Sequence, residues 1–556
     1  MADRYNPCMT PQQAAKLVQQ HGGVREAARA TGRSSGTVAK WYSRYMQEQG
    51  AAQRDAEEVA YEGEPEPVVE GHKHARQPHR MELPAPGEVK RYIVTSAQNN
   101  THLHPCWSAL QTAAEHLGAQ LLVSRFTYNV GTYGRGNVKP GHETSMSGVW
   151  FDHRIVPYIA DDRIELAPGL VLCGELNILP TAVRPLSGLE TYTGRDSAIV
   201  PHAKITMESV ASGKHEATKF NYTTGVVTQR NYIQKKAGQR GEQQHSYGAL
   251  IVEVDDQGNW YVRQLEAEEA SGEVRDLTLR FLPDGRVETS HIEAIVWGDI
   301  HAARRDKALE KLCWGQHGII DRLRPRFQVM HDLLDMRARN HHERNDPHAM
   351  FERHTSGEAS VARELYDVSL FLAEAQRPAT RTVVVESNHD LALKRWLKEA
   401  DYRQDPLNAI TFLRLQLSLY TAIRDGLEAS GEFHLLENAI KMFGSRMTGE
   451  AKFLREDEAF IVCPEVGDGI ELGMHGHLGP NGARGSPRAL SRMGRRAVTG
   501  HTHSASIVGE VWTVGLMAHQ DLGYNRGPSS WSATFAVVHD NGACQLVTIW
   551  DGKFRA

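Results

Sequence analysis

The stretch IEAIVWGDIH, residues 292–301, decides the fold. Ile292 to Trp297 has the nearly continuous apolar character of a strand buried on both faces, and it runs directly into Gly298, Asp299, Ile300 and His301. The same grammar recurs four times downstream. Phe327 to Met330 ends in His331, Asp332, Leu333, Leu334 and Asp335, and Thr382 to Val385 leads into Glu386, Ser387, Asn388, His389 and Asp390. Ile470 to Met474 ends in His475, Gly476 and His477; a last strand around Ala497 and Val498 ends in Gly500, His501, Thr502 and His503. Ligands of α/β sheets gather at the carboxyl ends of strands, so five such endings can meet at one site although 204 positions separate Asp299 from His503.

The residue types at those endings suit metal. Two divalent cations about 3.5 to 4 Å apart can clamp a phosphate and polarise a water, which requires one bridging carboxylate and nitrogen and oxygen donors on either side. Taken in order, D-x-H, D, N-H-D, H-G and G-H-x-H resemble the calcineurin-like metallophosphoesterases over about residues 290 to 555. The resemblance implies Asp299, His301 and His503 on one metal, Asn388, His475 and His501 on the other, and Asp332 bridging. His389 would protonate the leaving oxygen, oriented by Asp390. His475 is preferred to His477 because it directly ends its strand. This chain departs from the family in having His331 and Ser387 where a glycine usually stands before the bridging Asp and before the Asn. The resemblance further implies two divalent ions, manganese first, with magnesium, iron and zinc as alternatives.

Composition frames the rest. The chain has 556 residues, enough for about three folded units, and 63 basic against 68 acidic residues give a net charge of −5. Any contact with nucleic acid must therefore come from local basic patches rather than a global cationic field. Six scattered cysteines form no zinc or disulfide pattern, and no apolar run reaches membrane-spanning length, so a reducing cytoplasm is expected, the host's if the protein is phage-encoded. The 28 histidines point toward metal.

The expected fold is α/β. Residues 289–556 would form a four-layer metallophosphoesterase sandwich, two β-sheets flanked by helices, with a charged helical insertion at 337–377. A second α/β domain would span 91–288, where His102 and His104 read as ordinary loop histidines. An acidic, Pro-rich flexible linker is expected at 47–90. Residues 10–46 would be a small all-α domain: Thr10, Pro11 and Gln13 form a capping-box start, and Val38, Trp41 and Tyr45 line a last helix whose other face carries Lys40 and Arg44. That unit resembles a helix-turn-helix of DNA-binding proteins and transposases, with an assembly module as the alternative.

Substrate class rests on context. Between the fourth and fifth motifs lie Arg484, Arg488, Arg492, Arg495 and Arg496, a cluster suited to a polyanionic backbone. The tail GYNRGPSSWSATFAVVHDNGACQLVTIW reads as two strands joined at Asp540, Asn541 and Gly542. With the HDLLD and SNHD variants, this tail resembles phage-encoded metallophosphoesterases of DNA degradation or transfer, in the wider class of SbcD-type nucleases. The expectation is a two-metal phosphodiesterase acting on DNA, a DNase in which metal-activated hydroxide attacks and a histidine protonates the leaving group. The alternatives are a phosphatase of phosphoproteins or small phosphoesters, and a DNA-binding or assembly protein with a structural metal. DNA is the expected partner, no membrane is, and a homo-oligomer is left open.

Overall fold

The computed structural model describes residues 10–32, 38, 40–42, 45, 79–128, 150–214, 216–344, 346–444 and 450–556. It divides into two compact units, Met1–Lys73 with Thr127–His153, and His74–Phe126 with Arg154–Ala556.

In the first unit, α1 (Pro11–His21) begins at the expected capping box, with Gln13 N donating to Thr10 Oγ1 and Thr10 N to Gln13 Oε1. A second helix, α2 (Val24–Thr31), ends at Gly32 in the left-handed conformation (φ 65°). Ala14, Val18, Ala27, Ala28 and Val38 make a small shared core. Lys40 is helical and exposed, whereas Arg44 and the linker residues 47–78 lie outside the described residues.

Eight strands of the second unit frame the site: β1 (Ile292–Asp299), β2 (Phe327–His331), β3 (Arg381–Val385), β4 (Ala451–Leu454), β5 (Ile470–Glu471), β6 (Arg496–Thr499), β7 (Thr534–His539) and β8 (Cys544–Thr548). Six of them form a sheet in the order β4-β3-β2-β1-β7-β8, parallel from β4 to β1, with β7 and β8 as the expected antiparallel hairpin and Gly542 at φ 82° in its turn. β5 and β6 belong to a second, eleven-stranded sheet. Alternation along β1 shows how the layers stack. Ile295 and Trp297 face the helices, while Ala294 and Val296 face the second sheet with Val329, Val383, Val498 and Trp512.

The helical layer includes Val361–Ala375, whose Val361, Leu365, Val368 and Leu372 are all buried in the core. The insertion at 337–377 thus packs on the sheet, and its helix Val361–Ala375 is capped by Ser360, while Ser356 ends the preceding helix Pro347–Ser356. Beyond the eleven-stranded sheet lie loop 174–196 and the four-residue helix Pro487–Leu490, which contribute Leu186 and Leu490 to small outer clusters. The observed class is mixed α/β with several sheets and helices.

Two expected boundaries are corrected. The linker does not extend to residue 90: His79–Arg80 pairs in parallel with strand Arg163–Ala167, and a long strand already begins at Val89. Nor does 91–288 stand apart from 289–556. The eleven-stranded sheet is built from both, its seam being Met207–Val210 against Ser506–Val508. A second seam joins strand Trp260–Glu266 to β8. The Gln545 amide donates to the Gln264 carbonyl and Asp276, and Leu546 N donates to Gln264 Oε1. Arg275 pairs with Asp540 across the same junction.

Among the described residues, no helix is long and apolar enough to cross a membrane, and the five cysteines are free and buried. The shared sheet makes a prediction. A fragment 289–556 loses Met207–Val210, one of the two strands flanking Ser506–Val508, with the strands beyond it, and should fail to unfold cooperatively in urea, whereas 79–556 should unfold in one sharp transition; a sharp transition from the shorter fragment would show two independent domains.

Candidate metal centre

Three strands of one sheet and two of the other end together. Backbone bonds lock these ends: Ile300 N donates to His331 O (3.0 Å), His301 N to Asp332 O (2.8 Å), and Gly500 N to His475 O (2.8 Å). The loops leave their strands so sharply that His301 (φ 44°), Asp332 (φ 48°), His501 (φ 74°) and His503 (φ 57°) all occupy the left-handed region. Such a conformation costs a non-glycine residue about 1 to 3 kcal/mol and persists only where surroundings impose it. Gly500 is required by contact: a Cβ there would come within 2.3 Å of Asp299 Oδ1.

The donors converge in two groups. In the first, His503 Nε2 lies 3.0 Å from Asp299 Oδ2 and 3.1 Å from His301 Nε2, which is itself 3.5 Å from Asp332 Oδ2. In the second, Asn388 Oδ1 lies 3.2 Å from His475 Nε2 and 3.1 Å from His501 Nδ1. Asp332 Oδ2 is also 3.5 Å from His475 Nε2, so one carboxylate oxygen is equidistant from both groups. All seven residues expected as ligands are brought together. His477 is not among them; its Nε2 turns to Glu456 at 2.7 Å.

This arrangement suits a cation better than hydrogen bonds alone. His301 turns Nδ1 to Asp335 Oδ1 (3.1 Å), and if that nitrogen carries the proton, Nε2 presents its lone pair to His503 and to a carboxylate. Asp332 Oδ1 is buried without a hydrogen-bond partner. Burial and the facing Asp332 together push Asp299 well above the usual carboxylate range, a penalty that a cation between them removes. Asp299, His301, Asp332 and His503 can therefore hold a metal ion.

His389 stands beside the first group, its ring 4.8 Å from that of His301. Burial alone would lower its pKa, but Asp332, Asp335 and Asp299 outweigh it and raise it to about 10. The expected orienting residue is corrected here. His389 Nδ1 meets Asp335 Oδ1 at 3.1 Å, while Asp390 accepts from Leu334 N, Ser387 N and Ser387 Oγ and so braces the turn. Asp335 was present in the HDLLD motif, three residues after Asp332, with no role read for it. Ser387 uses its hydroxyl in that brace. His331, the other departure, is fully buried, and burial lowers its ring to about 4.

The arginines divide. Arg484, Arg488 and Arg492 are exposed on the loop between β5 and β6, and Arg484 lies close enough to His501 to disfavour its protonation. Arg495 donates to the Asp468 carbonyl at 2.6 Å. Arg496 is held by Glu266 (2.8 Å) and Glu510 (3.4 Å) over the Trp512 ring, which removes it from the candidate nucleic-acid contacts. Farther off, His104 stacks on Tyr247 and reaches the Glu269 carbonyl, a satisfied buried histidine.

The chain is similar to Protein A1 of Escherichia phage T5, with 40% identity over 479 residues that cover 84% of this chain and 83% of that protein. No family model and no solved structure matches it.

The shared position of Asp332 yields a prediction about metal. Asp332→Asn should abolish tight Mn²⁺ binding by the full chain in calorimetry while keeping a cooperative thermal transition, because Asp332 follows the end of β2 and is not part of the apolar core. Unchanged Mn²⁺ affinity in this variant would refute the assignment.

Proposed function

The chain belongs to the family of Protein A1 of Escherichia phage T5, and from that premise and the geometry of its site we propose a two-metal-dependent phosphodiesterase acting on DNA, working in the host cytoplasm. The observation that carries the reading is the single Asp332 oxygen 3.5 Å from a histidine of each donor group. Asp299, His301 and His503 would hold one ion, Asn388, His475 and His501 the other. Mixed imidazole and carboxylate donors suit manganese, iron or zinc better than magnesium, and the family resemblance favours manganese. Bound there, the ions would supply Lewis-acid polarisation of the phosphoryl oxygens and acidification of a water. The face-to-face sheets with one helical layer accord with a metallophosphoesterase sandwich.

The protein's own contribution is then positional. His389 gives a proton to the departing oxygen, and Asp335, 3.1 Å from its Nδ1, aims the ring. Exposed Arg484, close to His501, offers a charge-assisted bond to a phosphate backbone, and Arg488 and Arg492 are exposed later in the same segment. Residues 10–46 would add DNA affinity through a tether, with Lys40 on the exposed side of the last helix.

The deciding experiment incubates the full chain with circular and linear DNA in Mn²⁺, Mg²⁺ or EDTA. Cleavage that EDTA abolishes is expected, and the 79–556 fragment should show weaker, less salt-dependent binding. Hydrolysis of phosphoproteins with none of DNA in any metal would reverse the reading. Within that assay, His389→Ala should retain metal and lower kcat about 10² to 10⁴-fold, Asp335→Asn should lower kcat and also weaken metal binding, and the His389→Ala loss should shrink on nitrophenyl esters, whose leaving groups scarcely need a proton. Equal losses on both substrates would leave His389 only shaping the site.

Self-association is proposed through helix Ala409–Arg424, which buries Phe412, Leu415 and Leu419 yet exposes Ile410, Leu413, Leu417 and Tyr420 at alternating spacings of three and four. That second apolar seam has the heptad spacing of a helix–helix contact. Leu417→Glu with Tyr420→Glu should lower the mass measured by light scattering; a monomeric wild type would dismiss the idea.

A further inference from the structure

The loop between the metal-ligand motif and β7 carries an aromatic pair that the reaction scheme does not use. Trp531 lies edge-on to the His503 ring, with centroids 4.4 Å apart and planes at 79°. Tyr524 lies against Trp531 in turn at 5.8 Å and 69°, yet 54% of its surface is open to solvent. Two ring-to-ring steps therefore lead from a metal ligand to an exposed aromatic surface. Burial and the carboxylates of Asp335, Asp332 and Asp299 raise the Tyr524 hydroxyl pKa, which places it in the field of the same centre.

The loop holds this ring firmly. Asn525 accepts from Leu522 N at 3.0 Å and donates to the Gln520 carbonyl at 2.9 Å, and Gly523 N donates to Asp521 Oδ1. Leu522 is anchored in a small core with Leu516 and Ala518, and Ser532 N donates to the His503 carbonyl. A ligand covering the exposed face of Tyr524 would lie two ring contacts from His503 of the candidate metal centre. The loop also presents the exposed cation of Arg526 two residues on.

We propose that Tyr524, backed by Trp531, is a stacking surface for an unpaired nucleobase flanking the scissile phosphate. The proposal rests on the phosphodiesterase reading and deepens it. In a duplex the faces of each base are covered by its neighbours, so a side chain can take one only from a single strand, a frayed end or a base turned out of the stack. Stacking is indifferent to base identity because every base has a π-face, so the site would select single-stranded character without sequence.

The test uses the full chain with Mn²⁺ and two single-stranded oligomers of equal length, oligothymidylate and the same backbone made of abasic deoxyribose phosphates. Wild type should prefer the base-bearing oligomer by about 5- to 150-fold in KM, with kcat little different. Tyr524→Ala should erase that preference and Tyr524→Trp should keep it, whereas a residue that merely supports the loop would lower kcat on both oligomers alike. Preference that survives Tyr524→Ala overturns the proposal. Equal cleavage of both oligomers by wild type, or cleavage of neither with duplex DNA still cut, overturns it while sparing the phosphodiesterase reading, and failure to cleave any DNA overturns both.

Discussion

Asp299 and Asp332 are buried side by side where the ends of two sheets meet, and the rest of the site is organised around that electrostatic liability. Each carboxylate is fully desolvated, and like charges at such range cannot both ionise without compensation. His301, His475 and His389 hold Asp332 charged against its burial, and the His501 amide donates to Asp299 at 2.9 Å. A hydrophobic replacement would relieve the fold of this burden, so its presence marks a place where stability is given up for binding a cation.

A second cost is conformational. Four non-glycine ligands in the left-handed region represent several kcal/mol of local strain, which no isolated loop would sustain. Large buried surfaces impose it: Trp297, Trp314 and Phe535 on the helical side, and Trp512, Tyr222 and Phe220 between the sheets, fix both frames. The ligands are thereby held in place before any ion arrives, and the energy of ion binding need not be spent on ordering them.

How far the sequence was legible follows from how local each feature is. The seven candidate donors could be read because each lies a few residues past an apolar strand, so strand and donor occur in one short window. Asp335 shared that window and went unassigned, since its partners His301 and His389 lie 34 and 54 positions away and only the chain's return through β3 brings them to it. Asp390 was misread for the converse reason: adjacency to His389 suggested contact, whereas the turn sends its carboxylate to Leu334 N. The boundary at 288 failed because a sheet edge carries no sequence label, and Met207–Val210 finds its partner some 300 residues on, at Ser506–Val508. Arg496 read as one of a cluster for a polyanionic backbone, but Glu266, 230 positions away, claims it.

Asp335 also ties the candidate metal group to the candidate acid. Its Oδ1 lies 3.1 Å from Nδ1 of both His301 and His389, one a candidate ligand and the other the candidate acid. As acceptor it fixes the proton of each ring on Nδ1, leaving Nε2 of His301 as a lone pair for a cation. His389 needs a proton on its outward nitrogen as well, and the same carboxylate stabilises that doubly protonated ring. One buried residue thus orients two histidines whose rings are 4.8 Å apart. Its own carboxyl stays well below the usual range, because the hydrogen bonds from both rings outweigh its burial. Losing Asp335 would therefore disturb ligand and acid at once, and selection on either property preserves the other.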